Sequence, residues 1–205
     1  MPATDERVKD IYKNYIEVIC PYILQLELLD NEFPIEILNE IRAIFTHLSK
    51  IYMSDDISVI GKNLSKAEGH IKRAILDCYK YLCYAYEDKY KAFEIIYKNV
   101  DLSLIDNGEF LPKLLDGRKD AMSFMLEARK SDLLINSDDE TNADAAYEKY
   151  EKAFIKYSSV YELINSSYKK LETFRKKVVL KDIFAIGGWI IGIMGIIFTI
   201  VFGLL

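Results

Sequence analysis

The side chains best suited to acid–base chemistry or anion binding lie in one stretch of this sequence. It contains two histidines, His47 and His70, and an imidazole is the side chain that most readily changes its charge near neutral pH. Lys62, Lys66 and Arg73 surround His70 at helical spacings. We predict a cationic pocket for a phosphate group, formed by Arg42, His47, Lys62, Lys66, His70 and Arg73. The alternative is a solvated helix face with ion pairs between neighbouring turns.

The segment Arg42-Ala-Ile-Phe-Thr-His47 also resembles the Arg-x4-6-His motif of HEPN ribonucleases. A step of five residues leaves two side chains about 140° apart on an α-helix, so Arg42 and His47 share a face only if the helix is distorted. An RNA-cleaving enzyme of this kind is one alternative. No Ser/His/Asp, Walker or Rossmann signature occurs in the chain, and we therefore expect no catalytic residues and no enzymatic activity.

The cysteines indicate a reducing compartment. Cys20, Cys78 and Cys83 are odd in number and contain no C-x-x-C pair, which disfavours a disulfide framework or a zinc site. We expect all three to be small core residues, and we expect neither a metal nor a cofactor.

The C-terminal segment has the composition of a membrane-spanning helix. The 23 residues from Ile183 to Leu205 carry no charge, and a helix of that length, about 35 Å, exceeds a hydrocarbon core of about 30 Å. Six of the 13 residues from 169 to 181 are basic, and the last four of these are Arg175, Lys176, Lys177 and Lys181. The positive-inside rule then predicts a single-pass membrane protein with its N-terminal part in the cytoplasm and this basic collar at the lipid headgroups.

Small residues line one face of the predicted membrane helix. They alternate in steps of three and four, at Ala185, Gly188, Gly192, Gly195 and Thr199. Small side chains allow membrane helices to approach closely, so we predict a homo-oligomer of four or more copies in which this face packs the helices or lines a pore. The alternative is the ordinary enrichment of glycine in membrane helices.

The sequence predicts that the chain that positions these residues is all-helical. Nine glycines and four prolines among 205 residues leave few turns. We expect helices over residues 4–29 with an interruption near Pro21, and over 34–53, 63–99 and 111–135. The last helix starts near residue 142 and contains neither Gly nor Pro up to Ile186. It should therefore be a single rod that continues into the membrane.

Aromatic residues follow a 3.5-residue period along that last helix. The stripe consists of Tyr147, Tyr150, Phe154, Tyr157, Tyr161, Ile164, Tyr168 and Leu171. Such a period is typical of a coiled-coil or long bundle seam, and the alternative is that the stripe packs on the other helices of its own domain. We expect a cytosolic helical sensor domain at 1–136, a stalk helix with the basic collar at 137–181, and a transmembrane helix at 182–205.

In this layout the chain resembles the transmembrane effectors of bacterial antiphage systems, most closely the Hailong-type effector. The resemblance implies a channel of the bacterial inner membrane, controlled by DNA oligomers that a partner nucleotidyltransferase makes. It assigns ligand or partner sensing to the stretch Asn63-Leu-Ser-Lys-Ala-Glu-Gly-His-Ile-Lys-Arg-Ala. The net charge of −5 argues against non-specific nucleic-acid binding. A non-enzymatic, membrane-anchored coiled-coil scaffold is the other alternative.

Overall fold

The computed structural model describes residues 2–31, 33–133 and 140–203, and these contain helices and no strand. The prediction of an all-α protein is confirmed. The helices are α1 (Pro2–Asn14), α2 (Cys20–Asp30), α3 (Ile35–Tyr52), α4 (Ile57–Ile96), α5 (Phe110–Leu133), α6 (Glu140–Ser166) and α7 (Tyr168–Gly203). A 3₁₀ segment at Leu102–Gly108 precedes α5.

A π-helical turn at Tyr15–Ile19 joins α1 to α2. Pro21 lies in the first turn of α2, where the missing backbone N–H of a proline is tolerated. Asn31 ends α2 with a left-handed φ of 56°, a conformation that asparagine adopts more readily than most residues. The predicted interruption near Pro21 is therefore confirmed, and it takes the form of a wider helical turn.

Helices α3 and α4 carry the candidate site. The buried stripe of α3 contains Ile37, Ile41, Ile44, Leu48 and Ile51, as its helical spacing predicts. Helix α4 begins six residues earlier than expected, because the Asp56 carboxylate accepts a hydrogen bond of 2.8 Å from the Ser58 N–H and caps the helix there. Gly61 falls between the predicted helices 34–53 and 63–99, and in the structure it lies inside α4. No atom stands within 4 Å of the position a Cβ would take at Gly61.

The chain divides into two compact units: Met1–Tyr90 with Gly117–Tyr161, and Lys91–Asp116 with Glu162–Leu205. In the first unit, the aromatic stripe of α6 packs on α4. The Phe154 ring stacks on Tyr79 with centroids 5.3 Å apart, and Tyr161 lies 5.1 Å from Tyr86. Tyr150 is 2% exposed. This stretch of the stripe therefore packs within its own domain, which was the alternative to a coiled-coil seam.

In the second unit, the boundary between α6 and α7 falls at Ser167, so the prediction of one uninterrupted rod is wrong. The Ser166 hydroxyl donates a hydrogen bond of 3.0 Å to the Leu163 carbonyl, and Ser167 is buried in a turn. Serines whose hydroxyls bond to the preceding helical turn bend helices. Nearby, the Tyr97 hydroxyl donates to the Glu172 carboxylate at 2.7 Å and ties α4 to α7.

Within the described residues, none of the helices has both the length and the apolar character that crossing a membrane requires. Much of the segment predicted to span the membrane has side chains that lie outside the described ones, among them Ala185, Gly195 and Thr199. Gly188 and Gly192 are described, and a Cβ added at either would meet no atom within 4 Å. The boundary predicted at 136/137 also lies outside the described residues.

Candidate functional site

The two histidines face each other across the contact between α3 and α4. These helices run antiparallel, so His47 lies opposite Asn63, and Glu40 lies opposite His70. The His47 and His70 rings stack with centroids 5.2 Å apart and planes inclined by 23°. With Arg73 these residues form one polar cluster, which we call the histidine seam: Glu40, His47, Asn63, His70 and Arg73.

The hydrogen bond to Asn63 fixes which ring nitrogen of His47 carries the proton. The Asn63 side-chain nitrogen donates to the Val59 carbonyl at 2.8 Å, which orients the amide so that its oxygen faces His47. This oxygen lies 2.9 Å from His47 Nδ1 and can only accept a hydrogen bond. His47 Nδ1 therefore carries the proton, and Nε2 is the nitrogen left for other chemistry.

His70 is held in the same way by a carboxylate. Its Nδ1 lies 2.6 Å from Glu40 Oε2, which also accepts from Arg73 Nε at 3.1 Å. Two lone pairs would repel each other at 2.6 Å, so Nδ1–H donates to the Glu40 carboxylate. Arg73 Nη2 approaches the same nitrogen at 2.8 Å, and we take this as a close contact beside the shared carboxylate, because a protonated Nδ1 cannot accept.

Both Nε2 atoms reach solvent. Among the described residues, neither nitrogen has a hydrogen-bond partner, and no buried side-chain nitrogen or oxygen lacks one. Each unpartnered Nε2 therefore has contact with solvent, and both rings are partly exposed. The seam thus presents two imidazole rings, each oriented through Nδ1 and each with an unpartnered Nε2.

Two predicted lysines accompany the seam on α4, whereas Arg42 does not join it. At about 100° per residue, Lys66 lies on the same side of α4 as His70, and Lys62 lies next to it. Both are exposed, and neither has an ion pair within the part of the chain that the structure describes. Arg42 is exposed on α3 about 140° away from His47. The structure therefore does not bring together the two residues of the HEPN-like motif.

The other end of the seam is acidic. Burial raises the pKa of Asp77 to about 6, with further upward contributions from Glu40, Glu36 and Asp132. Lys80, whose Nζ lies 3.9 Å from Asp77 Oδ1, opposes that rise. A hydrogen bond from the Tyr81 hydroxyl lowers the pKa of Glu36. The seam therefore changes along its length from lysines near His47 to carboxylates beyond His70.

A separate cleft of about 640 Å³ opens on the opposite side of α4, between α1 and α6. Its floor is apolar, from Ile11, Ile71 and Ile75, and Tyr147 forms part of its wall. At its rim, the Arg7 guanidinium binds the Glu68 carboxylate through two hydrogen bonds of 2.6 and 2.7 Å. The Arg7 charge is thus neutralised within the protein.

The predicted basic collar lies in the second unit. Arg175 donates to Glu172 at 2.8 and 3.0 Å, so one of its four members is neutralised by its own helix. Lys177 Nζ lies 5.2 Å from the centroid of the Phe174 ring. Lys176 and Lys181 are exposed.

Sequence reasoning missed Glu40, which orients His70, and it included Asn63 in the sensing stretch without identifying it as the residue that orients His47. Each stands seven residues from a histidine on its own helix, Glu40 before His47 and Asn63 before His70. A seven-residue step returns to nearly the same helix face, so this spacing was the signal available. In the described portion of the chain, no group of three or more His, Cys, Asp or Glu side chains is arranged to hold a metal ion.

Similarity to proteins of known function gives no assignment for these features. No protein-family model, no curated protein and no solved structure matches this chain. The histidine seam, with its solvent-facing imidazoles and adjacent lysines, is the arrangement with the clearest chemical potential.

Proposed function

We propose that this chain is an oligomeric, membrane-anchored effector of antiviral defence whose helical domain binds an anionic nucleotide or oligonucleotide at the histidine seam. Binding then gates a pore or disrupts the inner membrane. The observation that carries the ligand-binding part is the pair of accessible Nε2 atoms beside the exposed Lys62 and Lys66.

The chemistry of the seam suits a phosphate-bearing ligand. Lysine ammonium groups donate charge-assisted hydrogen bonds to phosphate oxygens, and an imidazole does so through Nε2 when that nitrogen also carries a proton. Glu40 neutralises the charge of Arg73, so the positive charge that remains available is that of Lys62 and Lys66, toward the His47 end. An oligonucleotide strand bound at this end would place one phosphate at the imidazoles and the adjacent phosphates at the lysines.

The membrane part of the proposal is supported by the sequence. The segment from Ile183 to Leu205 carries no charge, and a basic stretch precedes it. Ligand binding controls such a segment only if the ligand has different affinities for two arrangements of the protein. Self-association through the glycine face supplies the copies that a pore needs.

Binding of a labelled single-stranded DNA oligonucleotide to the detergent-purified full chain tests the sensing part. Replacing Lys62 and Lys66 together by Glu should weaken binding at least about tenfold, since two phosphate contacts are lost and two repulsions are gained. Lys119→Glu with Lys130→Glu is the matched control, because both lysines are exposed on α5 and the change in net charge is identical. We expect the control to bind within about twofold of the wild type.

Equal losses in the two double variants would mean that binding depends on net charge and would refute a site at the seam. Absence of DNA binding by the wild type would also refute a site at the histidine seam.

The membrane part is tested by measuring membrane potential in bacteria that express the full chain or a version ending at Lys181. Depolarisation that requires the last 24 residues supports the proposal, and depolarisation by the shortened chain contradicts it.

A further inference from the structure

We propose that the histidine seam also cleaves the strand it binds, with His47 and His70 acting as an acid–base pair on a phosphodiester that has a neighbouring hydroxyl, as in RNA. This inference rests on the anion site proposed above and goes beyond it, because recognition requires binding alone. It differs from the HEPN-like motif, since the partner of His47 is His70 on another helix and not Arg42.

The geometry provides what such a pair needs. General acid–base catalysis requires two groups that are fixed in place, exposed to the substrate and able to exchange protons near neutral pH. Each imidazole is fixed through Nδ1, by Asn63 and Glu40 respectively, and each exposes Nε2. The ring centres are 5.2 Å apart and the planes are inclined by 23°, so the two rings are close enough for a single phosphodiester to lie beside both.

The two rings have different neighbours. His70 Nδ1 contacts the Glu40 carboxylate and also lies 2.8 Å from Arg73 Nη2, whereas His47 Nδ1 contacts the amide oxygen of Asn63. We assign His70, the ring held by the carboxylate, as the acid and His47 as the base.

The step is a transesterification. His47 Nε2 takes the proton of the 2′ hydroxyl, O2′ bonds to phosphorus, the bond between phosphorus and O5′ breaks, and His70 Nε2–H protonates O5′. The products are a strand ending in a 2′,3′-cyclic phosphate and a strand with a 5′ hydroxyl. Solvent then returns a proton to His70 and removes one from His47, so no further reactant is needed.

Cleavage is tested with the full chain in detergent and a chelator, on a labelled oligoribonucleotide and the oligodeoxynucleotide of the same sequence. We expect the RNA to be cut and the DNA to be bound intact, since DNA lacks the attacking hydroxyl. His47→Gln and His70→Gln should each lower kcat, measured at saturating RNA, at least about 100-fold. Lys130→Gln, exposed on α5 and purified in parallel, should cleave like the wild type and controls for contaminating nucleases.

An RNA with sulfur in place of O5′ at one linkage separates the two roles. Its thiolate leaves without protonation, so His70→Gln should cleave this linkage at nearly the wild-type rate, whereas His47→Gln should remain slow. A folding defect would not produce this difference. Glu40→Gln, a change at a positioning residue, should lower kcat about tenfold and leave KM unchanged.

Failure of the wild type to cut RNA, or equal cleavage by both histidine variants and the wild type, would overturn the proposal. So would a His70→Gln variant that the sulfur substrate does not rescue. Binding of the DNA strand without RNA cleavage would remove the catalytic inference alone, whereas loss of binding to both strands would remove the proposed function with it.

Discussion

Asp77 should destabilise the folded chain at neutral pH, and replacing it by Asn should stabilise it. The carboxyl is largely buried on α4, and burial raises its pKa from an ordinary 3.8 to about 6. The attraction of Lys80 only partly offsets that rise, because its Nζ lies 3.9 Å from Asp77 and closer, at 3.0 Å, to Asp132. An uncharged amide of the same size avoids the cost of ionising the buried group.

The magnitude follows from the difference in pKa between the folded and unfolded chains. A rise of about two pKa units corresponds to about 3 kcal/mol, and screening by solvent at this partly accessible position reduces it to about 1–2 kcal/mol. Between the ordinary pKa and about 6 the folded state binds more protons than the unfolded state, so the contribution of Asp77 to stability falls as pH rises through this window. Above it the penalty is complete, and below pH 4 it disappears.

Urea unfolding of the full chain, followed by helical circular dichroism, measures this effect at pH 7 and at pH 4. Asp77→Asn should exceed the wild type in free energy of unfolding by about 1–2 kcal/mol at pH 7 and match it at pH 4. Asp55→Asn, at an exposed carboxyl between α3 and α4, is the control and should change neither value. A gap of the same size at both pH values, or no gain at pH 7, would refute the reasoning.

Two further predictions concern packing in the first unit, and the same unfolding measurement checks both. Gly117→Ala should lower the free energy of unfolding by about 1 kcal/mol, because its Cβ would stand 2.8 Å from Val160 Cγ2 and this overpacking outweighs the better helix propensity of Ala. At Gly61 an added Cβ meets no neighbour, so Gly61→Ala should raise the free energy of unfolding by about 0.5–1 kcal/mol. If both glycine substitutions changed stability in the same direction and by similar amounts, this account would be contradicted. Tyr150→Phe should cost about 1–2 kcal/mol, since it removes the hydrogen bond of 2.8 Å to the Asp132 carboxylate, and an unchanged unfolding midpoint would show that water replaces this bond at no cost.

The sequence predicted most elements of the fold, because the signals of helix faces are local. The stripe of isoleucines in α3 and the interruption near Pro21 follow from spacing and from the chemistry of one residue. The early start of α4 depends on capping by Asp56, which competes with the glycine that suggested a loop. The turn at Ser167 follows a hydrogen bond from the Ser166 hydroxyl to the preceding helical turn, and no Gly or Pro signals it in the sequence.

The sequence predicted only part of the candidate site, because the available signals are again local to single helices. Helical spacing shows which residues share a face of one helix, and it identified both histidines together with Arg73. It does not give the register between two antiparallel helices, and the pairing of Glu40 with His70 depends on that register. The prediction from the sequence also included Arg42, because its side chain suits phosphate binding. On α3, however, Arg42 is exposed and lies away from the face that carries His47.

The π-helical turn at Tyr15–Ile19 sets the rotational phase of the N-terminal helix. Ile11 and Ile19 are both buried, yet a step of eight residues on an unbroken α-helix would set them about 80° apart. The wide turn absorbs about one residue and returns both to the core. Deleting a single residue there would rotate α1 by about 100° and carry Arg7 away from Glu68. Substitutions in this segment should therefore be tolerated better than insertions or deletions. A change in the number of residues there would have to be compensated along the whole of α1.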